Sequence, residues 1–177
     1  MFDNPLAEYS VSRLMKGIIF TFYLLLSSLG ASAQWNTITS YNQYDELAKE
    51  YMDRDDGYTY IINYWATWCG PCVKELPYFE QLLTAYENEK VRVVLVSLDF
   101  PKKVESKLIP FLNKHNIQSE VVLLDDPKSN IWIDKVDPSW EGAIPITIVY
   151  NGTNKTFWDG DFESYDDLEN LFKSIHH

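Results

Sequence analysis

Residues 58–65 read Tyr-Thr-Tyr-Ile-Ile-Asn-Tyr-Trp, Ala66-Thr67 follow, and Trp68-Cys69-Gly70-Pro71-Cys72 closes the stretch. The first eight residues are rich in aromatic and β-branched side chains and lack a polar alternation, which predicts a central strand covered on both faces. A helical pattern then opens at about Gly70 and continues to Asn88, with Pro77 as a kink inside it. The two cysteines therefore stand where a buried strand hands over to a helix. Residues i and i+3 on a first helical turn lie about 5–6 Å apart, inside the ~4.4–6.8 Å Cα window of a disulfide. Cys69 and Cys72 can pass between dithiol and disulfide without moving the backbone. Cys69 occupies the N-terminal end, where unpaired N–H groups and the positive end of the helix dipole favour a thiolate over the ordinary thiol of pKa about 8.5. Pro71 suits the first turn because the N–H it lacks would have no helical partner there.

The flanking elements follow from spacing and punctuation. Thr39 and Ser40 are candidate N-caps for a helix over Tyr41–Arg54, which Asp55-Asp56-Gly57 stops. Val91–Leu98 reads as a second buried strand and Lys102–His115 as an amphipathic helix. Glu120–Leu124 is a strand, and a short helix over Asp126–Lys135 begins at Pro127. Ile146–Tyr150 and Lys155–Trp158 flank Asn151-Gly152, a hairpin signal, and a last helix runs over Tyr165–Ile175 behind Ser164. Strands separated by helices need crossovers and hence parallel pairing, whereas the hairpin adds an antiparallel strand. The fold class is α/β, with a mixed central sheet and helices on both faces. Trp65 is read as core and Trp68 as exposed beside the cysteines; for Trp132, Trp140 and Trp158 core packing is the favoured reading and the lining of a substrate groove the alternative.

Composition narrows the function. Of 177 residues, 46% are hydrophobic, and 15 Lys+Arg face 26 Asp+Glu for a net charge of -11. That field repels nucleic acid and anionic membrane surfaces. Two cysteines exclude a disulfide scaffold and a four-cysteine zinc site; His115, His176 and His177 have no ligand spacing to the pair, so no metal is expected. At the start of the chain, Arg13 and Lys16 precede the uncharged run Gly17–Leu29 and then Ala31-Ser32-Ala33. The run falls short of the ~20 residues that span a bilayer and fits a signal peptide cleaved after Ala33. If uncleaved it would be a membrane anchor. Asp3 and Glu8 are foreign to a basic leader, so Met15 is the expected start. Residues 1–33 are thus read as extension and leader, and 34–177 as one domain.

The segment Asn63–Cys72 resembles the active-site segment of the thioredoxin superfamily. Cys72-Val73-Lys74-Glu75-Leu76-Pro77 resembles the C-x-x-E-x-P continuation of its TlpA/ResA-like extracytoplasmic branch, and Gly142-Ala143-Ile144-Pro145-Ile146-Thr147 resembles the family's cis-proline loop. The resemblance covers residues 36–175 and implies a thioredoxin-like three-layer fold. It implies an exported thiol:disulfide oxidoreductase that reduces extracytoplasmic proteins. Cys69 would be the attacking and Cys72 the resolving cysteine, with Glu75 as proton carrier and Trp68, Gly70, Pro71, Ile144 and Pro145 as the substrate-binding surface. No cofactor beyond the redox-active Cys69–Cys72 disulfide is implied. The implied partners are disulfide-containing extracytoplasmic proteins, apocytochrome c among them, and a membrane protein that donates reducing equivalents; the implied location is periplasmic or otherwise extracytoplasmic. Asn63 stands where thioredoxin has a buried aspartate, and an amide cannot carry the proton, whereas Glu75, one turn beyond Cys72, can. A carboxylate there also opposes thiolate formation by like-charge repulsion. Two other functions compete: a disulfide-forming oxidant, against which Gly70-Pro71 resembles reducing members, and a non-catalytic thioredoxin-fold binding module.

Overall fold

Six strands form one mixed sheet in the computed structural model, which describes residues 34–176. They are β1 (Thr39–Tyr41), β2 (Thr59–Trp65), β3 (Val91–Ser97), β4 (Glu120–Leu124), β5 (Ile146–Asn151) and β6 (Asn154–Asp159), in the spatial order β1-β4-β3-β2-β5-β6. β1, β4, β3 and β2 run parallel; β5 is antiparallel to β2, and β6 to β5. The leader read over residues 1–33, with its start at Met15, lies outside the described residues. Among those described, no helix is long and apolar enough to cross a membrane.

β2 is hydrogen-bonded on both edges and all of its residues are buried. Alternate side chains enter opposite faces. Ile61 and Trp65 join Leu76, Phe79 and Leu82 of helix α2 (Gly70–Ala85), together with Leu168 and Phe172 of the final helix α5 (Tyr165–Lys173). Tyr60, Ile62 and Tyr64 meet Tyr44, Leu47 and Tyr51 of α1 (Tyr44–Tyr51) and Trp132 and Val136 of α4 (Ser129–Val136). Helices thus cover both faces, as expected from the element order. By the same alternation Asn63 falls on the α2 side.

Several local expectations are corrected. Thr39 and Ser40 do not cap a helix; they pair with Val122 and Leu123 in β1. The first helix starts later, at Tyr44, and its N-cap Gln43 makes no side-chain bond. The Tyr44 N–H instead donates to the Asp126 carboxylate at 2.9 Å, across 82 residues of sequence. Asp126 also accepts from the Lys128 N–H at 2.9 Å, and α4 begins only at Ser129 rather than at Pro127. The segment read as one helix over 102–115 is a 3₁₀ turn (Pro101–Lys103), a π turn (Val104–Leu108) and α3 (Ile109–Lys114). The Ile109 N–H reaches back five residues to the Val104 carbonyl, and Pro110, next in line, has no N–H to continue a regular ladder. Finally, Trp158 sits on the edge strand β6, is 39% exposed and stacks on Phe162 at 5.3 Å; Trp65, Trp132 and Trp140 are core.

The hairpin loop is Gly152-Thr153, one residue later than read, closed by the Asn151–Asn154 pair. Gly152 has φ +57°, the left-handed conformation that favours glycine. At α5 the Ser164 hydroxyl and the Asp167 side chain form a reciprocal capping box.

Candidate active site

β2 delivers the cysteine motif to the C-terminal end of the parallel strands. Trp65 pairs with Ser97 of β3, so two residues further along, Thr67 meets Asp99. The Asp99 carboxylate accepts from the Thr67 N–H at 2.9 Å, the Thr67 hydroxyl at 2.6 Å and the Ser97 hydroxyl at 2.9 Å. This buried clamp fixes the turn that precedes Cys69. It was not foreseen from sequence, because it depends on the β2–β3 register.

Cys69 is the N-cap of α2, in extended backbone, with Pro71 in the first turn. Its sulfur is bonded to that of Cys72, with the Cα atoms 5.3 Å apart, and accepts from the Cys72 N–H at 3.3 Å. Cys69 is 7% exposed and Cys72 fully buried, so an incoming reactant reaches Cys69 first. Trp68, Gly70 and Pro71 are exposed around it.

The second loop closes the site from β5. The Ile144–Pro145 bond is cis, and the Ile144 carbonyl oxygen lies 3.7 Å from the Cys69 sulfur. The Trp140 indole N–H donates to the Ala143 carbonyl at 2.6 Å, and the Gly160 N–H donates to the Pro145 carbonyl at 3.1 Å. Ile144 is half-buried and Pro145 buried.

Beneath the pair, Glu75 shares the inward face of α2 with Cys72, one turn on, and is fully buried. Burial raises its pKa from 4.5 to about 7; hydrogen bonds from the Phe162 N–H and the Asn63 amide, both at 2.9 Å, oppose that rise. The Asn63 nitrogen also lies 3.1 Å from the Thr147 hydroxyl and 3.3 Å from the Ile146 carbonyl, while its oxygen accepts no hydrogen bond. The structure therefore brings Cys69, Cys72, Trp68, Gly70, Pro71, Ile144 and Pro145 to one place, with Glu75 and Asn63 below. Among the described residues, no cluster of three or more His, Cys, Asp or Glu could hold a metal ion.

Comparison with known proteins agrees with this geometry. The chain is 41% identical over 54 residues to the thiol-disulfide oxidoreductase ResA of Oceanobacillus iheyensis, covering 30% of this chain and 28% of that one. It is 30% identical over 63 residues to the sporulation thiol-disulfide oxidoreductase A of Bacillus subtilis, covering 36% and 38%. These matches span well under half the length of either relative. The crystal structure of the thioredoxin domain of a thiol-disulfide oxidoreductase from Bacteroides vulgatus superposes with a TM-score of 0.55 at 19% identity, over 71% of this chain and 84% of that one, so the fold is thioredoxin-like. The sequence profile of the AhpC/TSA family matches residues 38–153. With a profile match over most of its length and a thioredoxin-like sheet presenting the cysteine pair, the chain belongs to the AhpC/TSA family.

Proposed function

We propose that the protein is an exported thiol:disulfide oxidoreductase that reduces disulfides of extracytoplasmic proteins. The observation that carries this reading is Cys69, capping α2 and joined to a fully buried Cys72. In the reduced protein the helix end and the Cys72 N–H stabilise a Cys69 thiolate. That thiolate attacks one sulfur of a client disulfide, forming a mixed disulfide and expelling the client's other sulfur as a thiolate, which takes up a proton. Glu75 then accepts the Cys72 proton, and the Cys72 thiolate attacks the Cys69 sulfur. The Cys69–Cys72 disulfide forms, and the second client thiol leaves. A group of pKa about 7 can both accept and return that proton near neutrality.

The cycle uses no cofactor besides the cysteine pair, and a membrane protein that passes thiol-reducing equivalents outward resets it. Clients are disulfide-containing proteins outside the cytoplasm, apocytochrome c among them, since haem attachment needs free thiols. The backbone at Ile144 and Pro145, with Trp68, Gly70 and Pro71, receives the client segment next to Cys69. Export rests on the leader pattern of residues 17–33.

Two readouts test the proposal. Reduction of insulin by an external dithiol should be accelerated by the protein and not by Cys69→Ser; equal rates would reject the enzyme. The intact mass of the protein from the cell envelope should correspond to a chain starting at Gln34, and a full-length cytosolic product would reject export.

A further inference from the structure

A groove of about 540 Å³ opens directly beside the cysteine motif. Its walls are Trp68, Phe100 and Phe111, and its rim carries Lys103, Lys107 and Lys114. Trp68 is 60% and Phe100 67% exposed, a large aromatic surface left in water next to Cys69. The three lysines are exposed, and none forms an ion pair among the described residues. In a chain with 26 acidic against 15 basic residues, the groove is a local reversal of sign. The one carboxylate lining it, Asp99, is buried, with its oxygens engaged by Thr67 and Ser97.

Aromatic walls call for an apolar side chain, and an unpaired cationic rim calls for anions. A client disulfide must come to Cys69, and the groove begins at the residue before it. We propose that the groove docks an acidic segment of the client polypeptide, with carboxylates on Lys103, Lys107 and Lys114 and an apolar side chain against Trp68 and Phe100. This deepens the oxidoreductase reading by naming the class of client it prefers. The attraction is between exposed charges, so it acts through encounter and binding and weakens with salt.

The test uses peptides in two charge versions, Glu-rich and Lys-rich, around the same phenylalanine. Each is made with a disulfide for turnover and with serines in place of cysteines for binding, which is followed by tryptophan fluorescence of the oxidised protein. Bis(2-hydroxyethyl) disulfide is the small neutral control. The acidic peptide should bind and turn over better than the basic one, by about tenfold for three screened charge pairs, through KM rather than kcat. The preference should shrink in high salt. Lys103→Glu/Lys107→Glu/Lys114→Glu should reverse it while leaving reduction of the hydroxyethyl disulfide unchanged. Equal binding of both peptides at low salt, or a preference that survives the triple substitution, overturns the proposal. Succinate displacing the acidic peptide at the peptide's own half-saturating concentration overturns it too, making the groove a small-anion site. Binding with the expected preference but no turnover of any disulfide would support the docking site and reject the oxidoreductase reading.

Discussion

Burial holds the Glu75 carboxyl at a pKa of about 7 against an ordinary 4.5, so its protonation differs between folded and unfolded chains across the weakly acidic range. The unfolded chain releases this proton from about pH 4.5 upward, and the folded chain only near 7. Between those values the folded state binds more protons, so the contribution to stability is full below 4.5 and is lost as pH rises through about 7. A shift of this size corresponds to about 3 kcal/mol. Glu75→Gln, which keeps the shape of the side chain and carries no titrating proton, should flatten the pH dependence of the urea midpoint and raise stability in mildly alkaline buffer. Resolution of the mixed disulfide should slow by about tenfold or more and lose its inflection near neutrality; unchanged slopes and kinetics would make Glu75 a bystander. Asp99→Ala should cost about 1–3 kcal/mol, because it leaves the Thr67 N–H without its acceptor, and thermal unfolding at the wild-type temperature would contradict the clamp. The cysteine pair was legible because its geometry is local to one helical turn. Glu75 was legible as a candidate through the resemblance of Cys72–Pro77 to a C-x-x-E-x-P segment, since a helical glutamate taken alone reads as a surface residue. Asp99 was not, since nothing in the sequence states which residue of β3 lies beside Trp65.

At the scale of elements, the segments that were read correctly carry their own signals. β2 and β3 are largely apolar runs, α2 has Pro71 in its first turn, and α5 has both halves of its capping box within four residues. Ser164→Ala should therefore destabilise the protein by about 1 kcal/mol, with amide exchange accelerated first in α5; unaltered protection there would show that packing alone holds the helix end. Two of the misread elements depend on partners distant in sequence. The start of α1 is fixed by Asp126, and β1 exists because β4 offers it an edge. The turn of π-helix before α3 reflects Pro110 acting on a segment whose apolar spacing suggested one regular helix.

For the whole molecule, topology followed from connection lengths: helices between β2, β3 and β4 impose parallel pairing, and the Gly152 hairpin adds the antiparallel edge. What composition could not convey is distribution. A net charge of -11 conceals a cationic, aromatic groove at the active site. The direction of electron flow is likewise a property of the assembled site. The helix end favours a Cys69 thiolate, whereas Glu75 beneath Cys72 opposes an anionic dithiol state and Gly70-Pro71 resembles reducing members of the superfamily, so on the proposed function the reduced form should not be strongly stabilised and the pair should donate electrons. Equilibration of the protein against a graded series of reduced and oxidised glutathione, read by alkylation mass shift, measures this directly. The potential should lie near the about -270 mV of thioredoxin, with the disulfide dominant except in strongly reducing mixtures. A value near the about -120 mV of the strong oxidant DsbA, with the dithiol persisting in oxidising buffer, would contradict a reductase and install the disulfide-forming alternative.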